Sequence, residues 1–224
     1  MTRKLYAFLL MLLFYYTSYS QTYTFDYMLE TEYQMTSDSV IKHIYQYTNS
    51  KDNSYLLNVE DKGLEKLSLF LMDRKGKVAE GTINKKDFFD VESQVFNCDA
   101  IRLYRNDYKK KQVKNYQFTV LKDTIINTVA YNHYILKSVN AKREAKKKLG
   151  TQHYITYKNM DDYKPTVASE VAAYEEYKAM KNIPNGLYKQ HYIIMPDGTK
   201  RKAYNLISYK TCLRNLTMQV CDDK

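Results

Sequence analysis

The feature that most constrains the fold of this chain is the alternation of apolar and polar residues in short runs. From residue 22 to residue 33, apolar side chains recur at every second position, namely Tyr23, Phe25, Tyr27 and Leu29. This period is typical of a β-strand with one buried face. Similar runs follow at spacings of about ten residues, and turn-forming residues separate them. The chain is therefore predicted to be mainly β (α+β), with about ten strands.

Ranges for the later strands follow from the same pattern, and the sequence Pro196-Asp197-Gly198 predicts a tight hairpin turn between the last two of them. These strands are expected at 40–47, 55–59, 64–72, 77–83, 101–104, 116–120, 124–128, 131–139, 152–158, 187–195 and 199–209. Residues 85–93 fit either a helical turn or an edge strand, and residues 141–148 fit either a short helix or a hairpin tip. Residues 211–221 fit a last short strand or a tail.

One amphipathic helix is predicted late in the chain, from Thr166 to Asn182. Its apolar side chains recur at spacings of three and four residues: Val167, Val171, Tyr174, Tyr177 and Met180. Such spacing places them on one helical face, and Glu170, Glu175 and Glu176 are expected to face outward. Because the strands outnumber this single helix, the predicted architecture is a curved antiparallel sheet or half-barrel with the helix packed on it.

The N-terminus carries a signal for export. Arg3 and Lys4 precede an uncharged run of about 12 residues, which is too short to cross a hydrocarbon core of about 30 Å, and the small residues Ser18 and Ser20 follow. We therefore predict a signal peptide at residues 1–20 that is cleaved after Ser20. The remaining residues, 21–224, are predicted to form a single β-rich domain that is periplasmic or secreted.

Cysteines and histidines give little indication of chemistry. The chain has three cysteines, an odd number; Cys212 and Cys221 are a candidate disulfide pair, with unpaired thiols as the alternative, and Cys98 is expected to be a small buried side chain. No paired His or Cys motif with metal-ligand spacing occurs, so neither a metal nor another cofactor is predicted. His133, His153 and His191 each precede a tyrosine, and neighbouring strands would bring these rings together. No nucleotide-binding loop or nucleophile motif is present, and no enzymatic activity is predicted.

Three segments resemble exported proteins of unknown function from Bacteroidota-type bacteria. They are TYTFDYMLETEY (22–33), FTVLKDTIINTVAYNHYILKSVNAKREAKKKLGTQHYITY (118–157) and NIPNGLYKQHYI (182–193). The middle segment also resembles, more faintly, the half-barrel of the lipoprotein-carrier (LolA-like) superfamily and the exported GLPGLI proteins. The resemblance implies a fold and an exported compartment, and it suggests lipid handling by analogy.

Two functions are compatible with this architecture. In the first, the protein binds an apolar or lipid-like ligand on the concave face of the sheet; the candidate lining residues are Phe25, Tyr27, Tyr55, Leu57, Leu69, Ile135 and Tyr192. In the second, basic loops of a chain with net charge +10 contact a cell-envelope component: anionic lipid, lipopolysaccharide or an acidic polymer. The candidate contact residues are Lys109, Lys110, Lys111, Lys146, Lys147 and Lys148. Peripheral membrane contact would follow from this second function, and nucleic acid is not a predicted partner.

Overall fold

The structure is a computed structural model that describes residues 20–37, 39–63, 65–104, 115–167, 170–180 and 185–219. Several sequence predictions lie outside these residues. They are the signal peptide up to residue 19, the lysines at 109–111 and the cysteine at 221.

The described residues form thirteen strands and three α-helices. The strands are β1 (Gln21–Thr36), β2 (Lys42–Thr48), β3 (Tyr55–Asp61), β4 (Lys66–Asp73), β5 (Lys77–Asn84), β6 (Ser93–Phe96), β7 (Ile101–Leu103), β8 (Tyr116–Val120), β9 (Thr124–Ile126), β10 (Val129–Ser138), β11 (Thr151–Thr156), β12 (Tyr188–Ile194) and β13 (Lys200–Met218). The helices are α1 (Lys85–Phe89), α2 (Ala141–Lys147) and α3 (Val171–Met180), and a single 3-10 turn covers Cys98–Ala100.

The strands pair into one curved open sheet, in the order β7-β5-β4-β3-β2-β1-β13-β12-β11-β10-β8. Off this path, β9 pairs with β10, and β6 pairs with the end of β13. The β6–β13 pair is parallel and the others are antiparallel. The prediction of a mainly antiparallel curved sheet with a late helix packed on it is therefore confirmed, with more strands than the alternation indicated.

Strands β1 and β13 form the central pair of this sheet. Their register shifts between Phe25 and Tyr27 and again between Glu30 and Thr31. At each irregularity two residues of one strand lie opposite a single residue of its partner. The alternation of inward-facing and outward-facing side chains can therefore be interrupted there. Residues 211–218, for which the sequence allows a last short strand or a tail, continue the strand that begins at Lys200, so that β13 is one strand of 19 residues.

The first half of the sheet encloses a core on one face. Strands β1 to β5 and the end of β13 bury Tyr23, Phe25, Leu57, Leu69, Leu71, Leu216 and Met218 there. Helix α1 closes this core because Phe88 is fully buried among these side chains, whereas its neighbour Phe89 is exposed. Residues 85–93 fit either a helical turn or an edge strand by sequence. In the structure they begin with the helical turn α1, and the short strand β6 starts at Ser93.

The other face of the sheet, here called the helix-side face, is covered by residues 157–167 and by helix α3. Register places Leu29, Gln46, Tyr154, His191 and Leu206 on this face, since paired residues on adjacent strands share a side. Helix α3 contributes Ala172, Ala173, Tyr174 and Tyr177 to the contact with Leu136 and Tyr154. The late amphipathic helix is thus present and packed on the sheet.

The predicted orientation of this helix is partly wrong. Glu176, expected to face outward, is buried, and Glu170 forms an ion pair with Lys202 at 3.6 Å with its side chain only 16% exposed. Ala173, which lies off the predicted apolar stripe, is fully buried. The small alanines let the helix approach the sheet closely, and this turns the Glu176 position inward.

Helix α2 resolves the alternatives left open for residues 141–148 in favour of a helix. Asn140 caps its N-terminus by accepting a hydrogen bond from the Arg143 amide at 2.9 Å, and Lys148 ends it in a left-handed conformation with φ of 48°.

The predicted disulfide between Cys212 and Cys221 is wrong, because Cys212 is a free thiol. Cys98 is disulfide-bonded instead.

Candidate functional site

A small cavity lies between the helix-side face and the residues that cover it. Its volume is about 30 Å³, which is enough to hold a water molecule or a group of similar size. Strands β1, β2, β12 and β13 supply the floor, and residues 166 and 187 come from the covering side. The lining residues are Leu29, Thr31, Gln46, Thr166, Leu187, Tyr188, His191, Tyr204 and Leu206.

Three polar atoms in this lining are buried without a hydrogen-bond partner among the described residues: Thr166 Oγ1, Tyr188 OH and His191 Nε2. An unpaired buried polar group costs about 1–3 kcal/mol, so such groups are uncommon in native cores. Seven such atoms occur among the described residues, and three of them lie around this one cavity.

The polar groups of the cavity are uncharged near neutral pH. Burial lowers the pKa of His191 to about 3, with smaller contributions from Lys202 and His153. Burial also raises the pKa of Tyr188 well above its usual value. The cavity therefore presents neutral hydrogen-bonding groups, and His191 is a weak base there.

An aromatic row crosses the helix-side face through the cavity. The rings of His191 and Tyr154 stack at 4.5 Å with an angle of 11°, and those of His191 and Tyr204 stack at 5.8 Å with an angle of 9°. Contacts of 4.6 Å between Tyr204 and Tyr33, and of 5.9 Å between Tyr154 and Phe118, extend it in both directions. The row spans strands β1, β13, β12, β11 and β8, and it provides a continuous, largely apolar surface.

The two parts of the cover are held to the sheet in different ways. Residues 157–167 are fixed by hydrogen bonds to the β2–β3 turn: Lys164 N to Ser50 O at 2.8 Å, Asn53 Nδ2 to Pro165 O at 3.0 Å, and Thr48 Oγ1 with Tyr163 OH at 2.5 Å.

Helix α3, in contrast, buries a carboxylate oxygen of Glu176 that has no hydrogen-bond partner among the described residues. Burial raises the pKa of this carboxyl to about 7. Its charged form is therefore disfavoured in the packed position. The helix is consequently the less firmly held part of the cover.

A second, more open cleft of about 510 Å³ lies near the start of the covering segment. It is lined in part by Asp26, Tyr27, Ser50, Met160 and Tyr163. Among the described residues, none of its polar side-chain atoms is both buried and unpartnered, and Asp26 accepts hydrogen bonds from the amide and the hydroxyl of Ser50. For this reason the smaller cavity, whose polar atoms are unpartnered, is the better candidate for a binding site.

The seven lining residues predicted from the sequence do not share one surface. Phe25, Leu57 and Leu69 are buried in the core closed by Phe88, with Tyr55 packed against them. Tyr27 packs with Leu29 and Tyr163 on the helix-side face. Ile135 and Tyr192 lie on the face opposite helix α3, since both are beside His153 in register. That these seven residues form one binding site stays a prediction. Their dispersal over separate surfaces does not favour it.

The three histidines separate in the same way. His133 Nε2 lies 3.0 Å from His153 Nδ1 on the face opposite helix α3, whereas His191 faces the cavity. The sequence identified His191 only through its neighbour Tyr192, and it missed Thr166, Tyr188 and Tyr204. The sequence did hold one indication of the role of His191: it lies at the centre of the strand predicted there, where it is the buried position.

Among the predicted basic contacts, Lys146 and Lys147 lie in the last turn of α2 and Lys148 follows it, all exposed.

The described residues contain no group of three His, Cys, Asp or Glu side chains able to hold a metal ion. In the same part of the chain, no helix has both the length and the apolar character needed to cross a membrane.

Seventeen chains of solved structures are similar to this chain, among them the two that follow. One is described as the crystal structure of MucB, with 5% sequence identity and a TM-score of 0.42; the match covers 84% of this chain and 53% of that chain. This chain therefore spans about half the length of that protein. The other is a putative outer membrane lipoprotein-sorting protein domain from Vibrio parahaemolyticus, with 8% identity, a TM-score of 0.28 and 84% coverage of both chains.

Both TM-scores are below 0.5, so neither structure assigns a family or a function to this chain. No protein-family model and no curated protein matches it. The resemblance to Bacteroidota-type exported proteins and to GLPGLI proteins stays a prediction.

Proposed function

We propose that this chain is an exported, non-catalytic binding protein that holds an apolar or lipid-like ligand between the helix-side face and helix α3. The observation that carries this proposal is the cavity whose lining leaves Thr166 Oγ1, Tyr188 OH and His191 Nε2 buried without partners. A molecule bound there would offset the cost of these groups, of which Thr166 also interacts with the hydroxyl of Tyr163. The low basicity of His191 favours binding over general-base catalysis.

Access to this surface requires helix α3 to shift, because a cavity of about 30 Å³ holds an end group but not a chain. The helix is suited to such a shift, since Glu176 is buried in it without a hydrogen-bond partner among the described residues. Residues 157–167 would stay in place through their hydrogen bonds to the β2–β3 turn. The aromatic row would then supply the contact surface for the ligand.

Native mass spectrometry tests the proposal on protein purified without detergent from the compartment to which it is exported. We expect an additional mass that is lost on denaturation, or that appears after incubation with a medium-chain amphiphile such as decanol. A protein that stays at its bare mass in both cases would contradict the proposal.

A matched pair of variants on β13 locates the site. Leu206→Phe adds volume to a side chain of the cavity lining, and we expect it to reduce ligand occupancy. Leu213→Phe makes the same change at a position on the same strand that is 60% exposed, and we expect it to leave occupancy unchanged. Circular dichroism of both variants separates loss of binding from loss of fold, because overpacking alone costs about 1–3 kcal/mol.

Helix α2 supports a second candidate, contact with an anionic cell-envelope surface. Lys142, Lys146, Lys147 and Lys148 are all exposed on this short helix and its C-terminal end. Cosedimentation with phosphatidylglycerol vesicles at 50 mM and 500 mM NaCl tests it. Binding that falls steeply with salt and is lost when Lys146, Lys147 and Lys148 are changed to Gln would support this candidate, and salt-independent or absent binding would contradict it.

A further inference from the structure

We infer that the cavity binds the neutral, oxygen-bearing end of an aliphatic ligand: a hydroxyl, ester or amide group rather than a carboxylate or an amine. This inference rests on the proposed function and specifies the chemical class of its ligand. The evidence is the chemistry of the three unpartnered groups, the charges around them and the size of the cavity.

The hydrogen-bonding capacity of the lining matches a small oxygen group. The hydroxyls of Thr166 and Tyr188 each donate and accept, and the Nε2 atom of a neutral His191 does one or the other according to its tautomer. An alcohol oxygen, or an ester or amide carbonyl, accepts from such donors, and an alcohol also donates. The cavity volume of about 30 Å³ suits one oxygen and its neighbouring carbon, but leaves no room for a large headgroup.

The surrounding charges disfavour an ionised end group. Lys202 is already engaged by the Glu170 carboxylate, with 3.6 Å between Nζ and Oε1, and Lys189 donates a hydrogen bond to the carbonyl of the lining residue Leu206 at 2.6 Å. Glu170 also acts electrostatically on Tyr154 and Tyr204, whose pKa values are raised chiefly by burial. A buried carboxylate or ammonium group would therefore lose its hydration without gaining an unengaged partner of opposite charge from these side chains.

The remaining walls of the cavity suit an aliphatic chain. Leu29, Leu187 and Leu206 line it together with the polar groups, and each of them is at most 3% exposed. The aromatic row continues from His191 toward Tyr154 beneath helix α3. A chain that leaves the polar end group in this direction would run along the faces of these rings.

The experiment is a competition assay on the full exported chain with the uncharged dye Nile red as the displaced probe. Four competitors share a ten-carbon chain: decane, decanol, methyl decanoate and decanoate. We expect decanol and methyl decanoate to compete at least tenfold more strongly than decanoate at pH 8. Tyr188→Phe is expected to weaken decanol binding about five- to tenfold without changing the affinity for decane, because one hydrogen bond is lost and the shape is kept.

Tyr192→Phe is the matched control, since this tyrosine lies on the same strand but on the opposite face. It should leave all four affinities unchanged. A higher affinity for decanoate, or an unchanged affinity of the Tyr188→Phe variant for decanol, would overturn the inference while the proposed function stands. If neither the dye nor any competitor binds, the cavity is an internal feature of the core and both proposals fail.

Discussion

The imidazole rings of His133 and His153 form a hydrogen bond across neighbouring strands, with His133 Nε2 and His153 Nδ1 3.0 Å apart. Thr124 Oγ1 lies 3.0 Å from the other nitrogen of His133, and the ring of Tyr192 stacks on His153 at 4.8 Å. A single proton can lie between the two facing nitrogens, so the arrangement requires both rings to be neutral or only one to be charged. The pair is thus sensitive to acid.

Acidification is expected to destabilise the protein through His153. Burial, and then the proximity of His133 and Lys200, lower the pKa of His153 from 6.5 to about 4. Between these values the unfolded chain binds more protons than the folded one, so the free energy of unfolding falls as the pH drops from 7 to 4.5. We expect a contribution of about 1–2 kcal/mol, and His153→Gln should remove it.

Urea unfolding at pH 7 and pH 4.5 measures this difference. The control is His43→Gln, because His43 is exposed on β2 and should leave the pH dependence as in the unmodified chain. An equal loss of stability in the unmodified protein and in His153→Gln would show that this pair does not control acid stability.

Glu176 is expected to act with the opposite sign. Burial raises its pKa from 4.5 to about 7, so the folded chain binds the additional proton between these values. Its favourable contribution is complete below pH 4.5 and is lost as the pH rises through 7. We expect Glu176→Gln to raise the free energy of unfolding by about 1–3 kcal/mol at pH 8, with little effect at pH 5.

Thermal unfolding of this variant at the two pH values provides the measurement, with Glu80→Gln as the control at an exposed position on β5. A variant that gains no stability at pH 8 would mean that the Glu176 carboxylate is accommodated in its charged form. Helix α3 would then be held more firmly than the proposed function requires.

The histidines and Glu176 illustrate how far the sequence predicts this site. Alternation correctly identified the strands that carry His153 and His191, because the period of two depends only on local side-chain burial. It could not show that His133 and His153 meet while His191 faces away, since this depends on the register between strands. The helical period placed Glu176 outward, and tertiary packing of Ala173 against the sheet reversed this.

The continuous strand β13 illustrates a second limit. Its register against β1 shifts near Phe25 and near Glu30, and these irregularities interrupt a strict alternation. The pattern in the sequence consequently ends near Tyr209, although the backbone pairing continues to Met218. Bulges of this kind arise from the pairing of two strands and are not encoded in either strand alone.

The cysteines provide a chemical test of the structure. Cys212 is free and half-buried, and burial raises the pKa of its thiol, so little of the reactive thiolate forms at pH 7. We expect iodoacetamide to label Cys212 slowly in the folded protein and rapidly in urea. Cys98 should resist labelling in both states until a reductant is added, because it is disulfide-bonded. Peptide mass spectrometry distinguishes these sites, and labelling of Cys98 without reduction would contradict the assignment.

Two adjacent phenylalanines of helix α1 test how the core of the first half of the sheet is closed. Phe88 is fully buried against Tyr47, with ring centroids 5.7 Å apart, and its carbonyl accepts a hydrogen bond from the buried Arg214 at 3.0 Å. Phe88→Ala would leave a cavity there, and we expect a loss of about 3–5 kcal/mol in the free energy of unfolding. Phe89→Ala makes the same change at a side chain that is 52% exposed, and it should cost less than about 1 kcal/mol. Comparable losses for the two variants in urea unfolding would show that α1 does not close the core through Phe88.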